Sequence, residues 1–436
     1  MNKPTFFISC AIDTFSGYGA RSRDLVKAII ELDKYDVKIL PQMWGNTPWN
    51  FINSNPEWEF LKQHIWTQPN LTQQPDIWMQ ITVPNEFQRV GKFNIGVTAG
   101  IETTLSPGDW IEGINRMDLT LTSSEHSKQT FVSTILSKVD QRTNQQVGEV
   151  KVERPLEVLF EGVNTDVYKS IPKNEITNIN LNDVKESFAF LFVGHWMQGD
   201  IGEDRKNVGL LIKAFYEIFK NKKTKPALIL KTSQVGSSYM DRDDILKKIN
   251  QIKSTVNSTD LPNIYLLHGE FSDSEMNELY NHSKVKAMVN LTKGEGFGRP
   301  LLEFSLTKKP IITTGWSGQI DFLKSNMSIL LPGTLTNVHP SVANNMLLKE
   351  AQWFSVDMGQ VGIHLNDVFE NYKKYTEKAK MQASYSKNNF SFDKMKEKVD
   401  EILTKHVPEF PKQIPLVLPK LKKIELPKLK KLEENA

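Results

Sequence analysis

The segment from Val285 to Thr314 constrains the fold more than any other part of the chain. Val285-Lys-Ala-Met-Val-Asn-Leu291 is a short apolar run of the kind that forms a buried strand. Gly294, Gly296 and Gly298 follow, and then Pro300. Proline suits the first turn of a helix, where its missing N–H would have no partner in any case. A second apolar run, Pro310-Ile-Ile-Thr-Thr314, comes after that helix. A strand, a glycine turn, a helix and another strand form the repeating unit of a mostly parallel sheet covered by helices.

The same rhythm runs through the rest of the chain. Strands are expected at Phe6 to Ala11, Val37 to Leu40, Ile77 to Val83, Asn94 to Thr98, Leu119 to Thr122 and Glu157 to Phe160. Helices are expected over Asp24 to Leu32 and Lys128 to Leu136. Residues 42–75, rich in Trp, Asn, Pro and Gln, interrupt the series and read as an insertion near a ligand cleft or as a surface excursion. Residues 170–185 are polar and suit a linker. A second series follows, with strands at Phe188 to Val193, Ala227 to Leu230, Ile264 to Leu267 and Ser328 to Leu331. Helices are expected over Val208 to Phe219, over Ile245 to Ile252, and after the capping box Ser272-Asp-Ser-Glu275. The expected division is an N-terminal Rossmann-like domain over 1–170 and a C-terminal one over 186–385. A last helix is expected within 390–406, and a Lys/Pro/Leu-rich tail fills 411–436. Ligands of such sheets bind at the carboxyl ends of the strands, here in the cleft between the two domains.

At 436 residues, two or more cores are expected. No run of about 18 apolar residues suggests a membrane-spanning helix. The chain enters its first strand directly, without the apolar stretch of a signal peptide, and its single cysteine, Cys10, lies in that strand as a small buried hydrophobe. A cytoplasmic location is therefore expected. The net charge is +3, but residues 411–436 hold seven Lys and three Glu, which leaves 47 basic and 48 acidic side chains elsewhere. Composition thus does not point the body toward nucleic acid. The tail repeats Leu-Pro-Lys-Leu-Lys-Lys at 418 and 426, and reads either as a solvated extension or as a contact for an anionic partner.

Glu295 and Glu303 stand eight residues apart, either side of the glycine turn. Glycines let a backbone approach a ligand closely, and helix starts attract phosphate. Carboxylates accept hydrogen bonds from sugar and ribose hydroxyls. The segment therefore suits a polyhydroxylated, phosphate-bearing ligand.

Glu295-Gly-Phe-Gly-Arg-Pro-Leu-Leu-Glu303 resembles the E-x7-E motif of retaining glycosyltransferases, in particular family 4 with the GT-B fold. The resemblance covers most of residues 1–406. It implies an α/β architecture of two doubly wound Rossmann-like domains facing across a cleft, with the helix over 390–406 returning to the N-terminal domain. It also implies an enzyme that transfers a hexosyl or pentosyl group from a nucleotide-diphosphate sugar to an acceptor hydroxyl with retention. Neither a metal nor a cofactor is expected. Glu295 would lie near the donor sugar and Glu303 at the ribose. Gly296, Phe297, Gly298 and Arg299 would complete this side of the donor site, with the helix start near Arg299 facing the leaving diphosphate.

Other segments match the family in part. Ser16-Gly-Tyr-Gly-Ala-Arg21 resembles its glycine loop, so Gly17 and Gly19 are carried over as donor-facing. Arg21 could reach the cleft or lie at the surface. Family members carry an Arg and a Lys for the diphosphate. Lys206 matches the lysine, His195 stands where the arginine is expected, and Arg205 could compensate. Thr98-Ala-Gly-Ile-Glu102 corresponds to the acceptor-side loop, which makes Glu102 either an acceptor-binding group or a helix cap. Ser123-Ser-Glu-His126 resembles the family's S-E segment, with His126 read as a helix-start residue rather than a base. Gly315-Trp-Ser-Gly-Gln-Ile320 would border the donor, or serve only to pack Trp316. Asp241-Arg-Asp243 has the form of a metal-binding D-x-D but is expected to cap a helix. Val97 to Thr103 is similar to glycosyltransferases of large bacteriophages. That adds hydroxylated bases of viral DNA to the candidate acceptors, beside glycans, lipid-linked sugars and protein, and would make the location a host cytoplasm. The competing readings are an epimerase or phosphorylase of the same fold, and a non-catalytic sugar-nucleotide-binding protein.

Overall fold

Eight strands belong to the first half of the chain. They are β1 (Thr5–Cys10), β2 (Asp36–Pro41), β3 (Ile77–Ile81), β4 (Phe93–Thr98), β5 (Leu119–Thr122), β6 (Leu136–Val139), β7 (Gln146–Val150) and β8 (Leu156–Val158). The computed structural model describes residues 3–410 apart from 72, 141, 144 and 235. The tail over 411–436, with its expected role, lies outside the described residues. Six of the strands form one parallel sheet in the order β2-β1-β3-β4-β5-β8. The second half supplies β9 (Ala189–Val193), β10 (Ala227–Lys231), β11 (Ile264–Leu267), β12 (Val285–Asn290), β13 (Ile311–Thr314) and β14 (Ile329–Leu331). These form a second parallel sheet, ordered β11-β10-β9-β12-β13-β14.

Both sheets are buried on both faces, so their inner strands are almost wholly apolar. Phe6, Ile8, Ile77, Met79, Ile95 and Val97 pack in the first core; Phe190, Phe192, Leu228 and Leu230 pack in the second. In each sheet the strand order reverses beside the first strand, between β1 and β3 and between β9 and β12. The loops leaving β9 and β12 therefore meet at a switch point, where α/β sheets open a crevice.

Several boundaries differ from the sequence reading. The first helix is Gly17–Glu31, starting well before Asp24, because Ser16 caps it by accepting the Gly19 N–H. The next expected helix is Glu125–Ser133, capped by Ser124, and Leu136 instead opens the β6–β7 hairpin. The Asp241-Arg-Asp243 cap is corrected: Ser238 caps Tyr239–Ser254, and Asp241 sits inside the first turn, hydrogen-bonded to Gln234 N–H and His268. Residues 42–75 hold a short helix, Phe51–Ser54, and a 3-10 stretch, Pro56–His64. The polar stretch 170–185 is docked on the second domain, where the Glu278 carboxylate accepts the N–H groups of Thr177, Asn178 and Ile179.

Two further elements matter for the site. An antiparallel hairpin, β15 (Gly333–Asn337) with β16 (Gln352–Val356), reaches from the second domain to the first. There Thr104 N–H donates to the Gln352 carbonyl, and Gln352 N–H donates to Thr104 Oγ1. The last helix, Phe392–His406, places Met395, Val399, Ile402 and Leu403 in the first-domain core. The chain thus crosses between domains twice, and the crossings pair. Val163 N–H donates to the Phe390 carbonyl at 2.9 Å, and Phe392 N–H to the Val163 carbonyl at 2.8 Å.

Candidate active site

Glu295 lies just past the end of β12, and Lys206 just before the helix Val208–Phe219. Asn207 caps that helix in the left-handed region, at φ 56°, so Lys206 precedes the first turn and is free to face the crevice. Lys206 Nζ lies 2.5 and 2.6 Å from the two Glu295 carboxylate oxygens. Arg205 turns the same way. Its guanidinium donates to the Gly294 carbonyl at 2.8 Å and sits 3.2 Å from Glu102 and 3.7 Å from Glu295. The sequence-predicted Glu102, Arg205, Lys206 and Glu295 are therefore brought into one cluster from both domains. No helix follows Glu102 before Gly108, and that helix has Pro107 at its cap, so the helix-capping reading of Glu102 does not hold.

Glu295 is only 6% exposed. Burial alone would raise its carboxyl pKa, but Lys206 and Arg205 outweigh it and hold the group below its ordinary value. Its backbone is fixed as well. The N–H donates to Ser317 Oγ at 2.9 Å and the carbonyl accepts from Gly318 N–H at 2.9 Å.

The turn glycines serve a closer approach than that of a ligand. A Cβ on Gly294 would lie 2.0 Å from the Glu102 carbonyl oxygen, and one on Gly296 would lie 2.2 Å from that of Ala99. The first-domain loop is what presses against them. Ser123 Oγ closes the seam, bonding the carbonyls of Ala99 and Gly296. Gly298 caps the helix Arg299–Ser305 at φ 98°, where a side chain would be strained. Phe297 is not in the crevice; it is 3% exposed and packs on Phe322 inside the second domain.

Arg299 and Glu303 belong to a second cluster. Arg299 Nε donates to Glu303 at 2.9 Å and its Nη1 to Asp24 of the first domain at 2.5 Å; Glu161 lies 3.9 Å away. Burial opposes its charge, yet these carboxylates hold its pKa above the ordinary value. Arg299 is thus engaged by carboxylates rather than open to a diphosphate. Tyr280 Oη donates to the other Glu303 oxygen at 3.2 Å. Burial pushes the Glu303 carboxyl up to about 7, against the pull of Arg299.

The remaining candidates are more dispersed. Gly19 packs against Thr14, whose carbonyl would meet its Cβ at 2.3 Å, whereas Gly17 is exposed with open space beside it. Arg21 does not reach the cleft. It is 1% exposed and donates to the carbonyls of Leu159 and Phe160. His195 is exposed, with Nδ1 3.2 Å from Ser233 Oγ. Trp316 packs between His126 and Phe354, and burial pushes His126 down to about 4, so it stays neutral. Asp321 Oδ2 accepts the Glu125 N–H at 2.9 Å, another cross-domain contact. Asp24, Glu161 and Tyr280 were missed from the sequence. Their partners lie well along the chain, and only Asp24 gave a local signal, a charge on the buried side of a helix.

Among the described residues no cluster of His, Cys, Asp or Glu could hold a metal ion. No described helix is long and apolar enough to cross a membrane. No family model matches the chain, and no curated protein matches it significantly. Solved structures do match. A glycosyltransferase from Rickettsia africae aligns with TM-score 0.59 at 12% identity, covering 93% of this chain and 99% of that one. Anabaena HepE in complex with UDP and glucose aligns with TM-score 0.57 at 12% identity, covering 92% and 100%. The α,α-trehalose 6-phosphate synthase of Burkholderia multivorans aligns with TM-score 0.58 at 10% identity, covering 93% and 99%. At these identities the likeness is one of architecture: two parallel-sheet, Rossmann-like domains in the GT-B arrangement.

Proposed function

We propose that the protein is a retaining glycosyltransferase that uses a nucleotide-diphosphate sugar and needs no metal. The observation that carries this reading is the Lys206–Glu295 pair at the switch point of the second sheet, with Glu102 of the first domain on the same cluster. The Anabaena protein of the same fold was solved with UDP and glucose, which makes UDP-glucose the first donor to test.

In this mechanism the donor lies on the second domain, with Glu303 at its ribose and Glu295 at its sugar. Lys206 and Arg205 exchange part of their carboxylate pairing for the diphosphate. The bond between the anomeric carbon and the diphosphate oxygen breaks, and its electron pair stays with the diphosphate, whose growing charge the two cations stabilise. The acceptor hydroxyl attacks from the face the leaving group vacates, and its proton passes to a leaving phosphate oxygen. Glu295 orients and polarises the sugar; no carboxylate is required as a nucleophile.

The test is calorimetry and mass-spectrometric turnover with UDP-, GDP-, ADP- and dTDP-sugars, on the wild type and on Glu295→Gln. Turnover should fall sharply in the variant while affinity for the free nucleotide diphosphate stays within about twofold. Loss of both together would place Glu295 elsewhere. Binding without turnover of any donor, with or without acceptors, would favour the non-catalytic reading. Conversion without an acceptor would favour an epimerase.

A further inference from the structure

Tyr18, the second residue of the helix Gly17–Glu31, lies face to face with Trp44 of the inserted segment. The ring centroids are 3.9 Å apart and the planes 27° apart. The Tyr18 hydroxyl lies 3.2 Å from Thr98 Oγ1 and accepts the Ala99 N–H at 3.1 Å. The aromatic pair is thereby fastened to the loop that carries Glu102 three residues further on. Both rings are half-buried, and the ground beside them is open: a Cβ on Gly17 or Gly45 would meet nothing within 4 Å. Trp49 and Met43 of the same insertion are 38% and 67% exposed.

The first-domain side chains in the two ion-pair clusters, Glu102, Asp24 and Glu161, are acidic and are already paired with Arg205 and Arg299. That leaves no accessible cation among the described residues of those clusters on the first-domain side. The two arginines of the adjoining helix are turned inward. Arg21 donates to backbone carbonyls, and so does Arg23, which also lies 3.3 Å from the centroid of Phe51. Phosphate backbones are held by accessible cations, and carboxylates repel them. A stacked, half-buried indole instead offers a flat apolar surface. The axial C–H face of a pyranose ring fits that surface without any charge.

We propose that Trp44, backed by Tyr18, is an acceptor subsite that takes the apolar face of a neutral sugar ring, so that the acceptor is a glycan and not nucleic acid. This rests on the glycosyltransferase reading above. The test titrates the wild-type protein, with UDP present, against maltoheptaose, cellohexaose and a mannan oligomer, and against a short DNA duplex bearing hydroxymethylated cytosines. Saturation-transfer NMR and calorimetry are the readouts. At least one oligosaccharide should bind, its ring protons should receive saturation, and Trp44→Ala should weaken it about tenfold or more. Trp44→Phe, which keeps a ring on Tyr18, should retain most of the affinity, and it carries the test if the alanine variant does not fold. Binding of the duplex but of no oligosaccharide overturns the proposal. So does oligosaccharide binding that Trp44→Ala leaves unchanged. If a nucleotide diphosphate binds and no sugar does, only this inference falls; if none of UDP, GDP, ADP and dTDP binds, the reading beneath it falls as well.

Discussion

Replacing Lys206 by methionine keeps most of the side chain's length and removes its charge. In the wild type, Glu295 is 6% exposed and Lys206 bonds both of its carboxylate oxygens. Breaking a buried pair by removing one partner typically destabilises by about 3–5 kcal/mol. Arg205 remains 3.7 Å from the abandoned carboxylate, so the lower end, about 3 kcal/mol, is expected. The pH dependence should change sign. In the wild type the Glu295 pKa is held below 4.5, so its contribution is present above that pH and is lost on acidification. In Lys206→Met burial is opposed only by Arg205, and the pKa rises. The folded state then binds a proton that the unfolded chain has released, and stability falls as pH rises above about 4.5. Urea unfolding at pH 8 and pH 5 is the assay, run on Lys206→Met, Glu295→Gln and the double variant. The single lysine variant should lose more at pH 8 than at pH 5, and the cycle should give a coupling of about 2 kcal/mol at pH 8. A loss below about 1 kcal/mol at pH 8, or equal losses at both pH values, would refute the view that a buried ion pair ties these loops together.

Three further outcomes are expected. Glu303→Ala should weaken binding of the nucleotide diphosphate by about 1–3 kcal/mol, read by calorimetry, since charged hydrogen bonds to the ribose are lost; unchanged affinity would remove Glu303 from the ribose. Because Glu303 titrates at about 7, and its ionised form is the better acceptor, wild-type nucleotide affinity should rise about five- to tenfold between pH 6 and pH 8, and this rise should vanish in Glu303→Gln. Turnover should survive excess EDTA; abolition with rescue by manganese would reopen the metal question and overturn the metal-free mechanism.

Apolar, locally determined elements were legible in the sequence. The helix Val208–Phe219 and the strand Ile264–Leu267 fall where periodicity places them, and the Ser272–Glu275 capping box forms as read. Boundaries set by a single hydrogen bond were not legible. Ser16 and Ser238 win their caps over later candidates because their side chains reach a backbone N–H, which hydrophobic pattern does not report. The hairpin of β15 and β16 was missed because its pairing is stabilised across the domain seam, by Thr104 and by Trp353, and not by its own alternation. At the site, Glu295 and Glu303 stood out by their spacing and Glu102 by its loop, but Asp24 and Glu161, which also engage Arg299, did not. Nothing local in a sequence announces a partner 275 positions away, the separation of Asp24 and Arg299.

The paired crossing at Val163 and Phe390–Phe392 has a mechanical consequence. Two chain segments, bonded to each other in parallel, join the domains where a single linker would let them swivel in any direction. Rotation about the axis of that pair bends both segments together, whereas twist across it must break their hydrogen bonds. Any opening of the cleft is therefore expected to follow that one axis, like a book on its spine. A protease cut within residues 170–185 severs one page from the binding but not from the other page. The two fragments should elute together from a sizing column and separate only in denaturant.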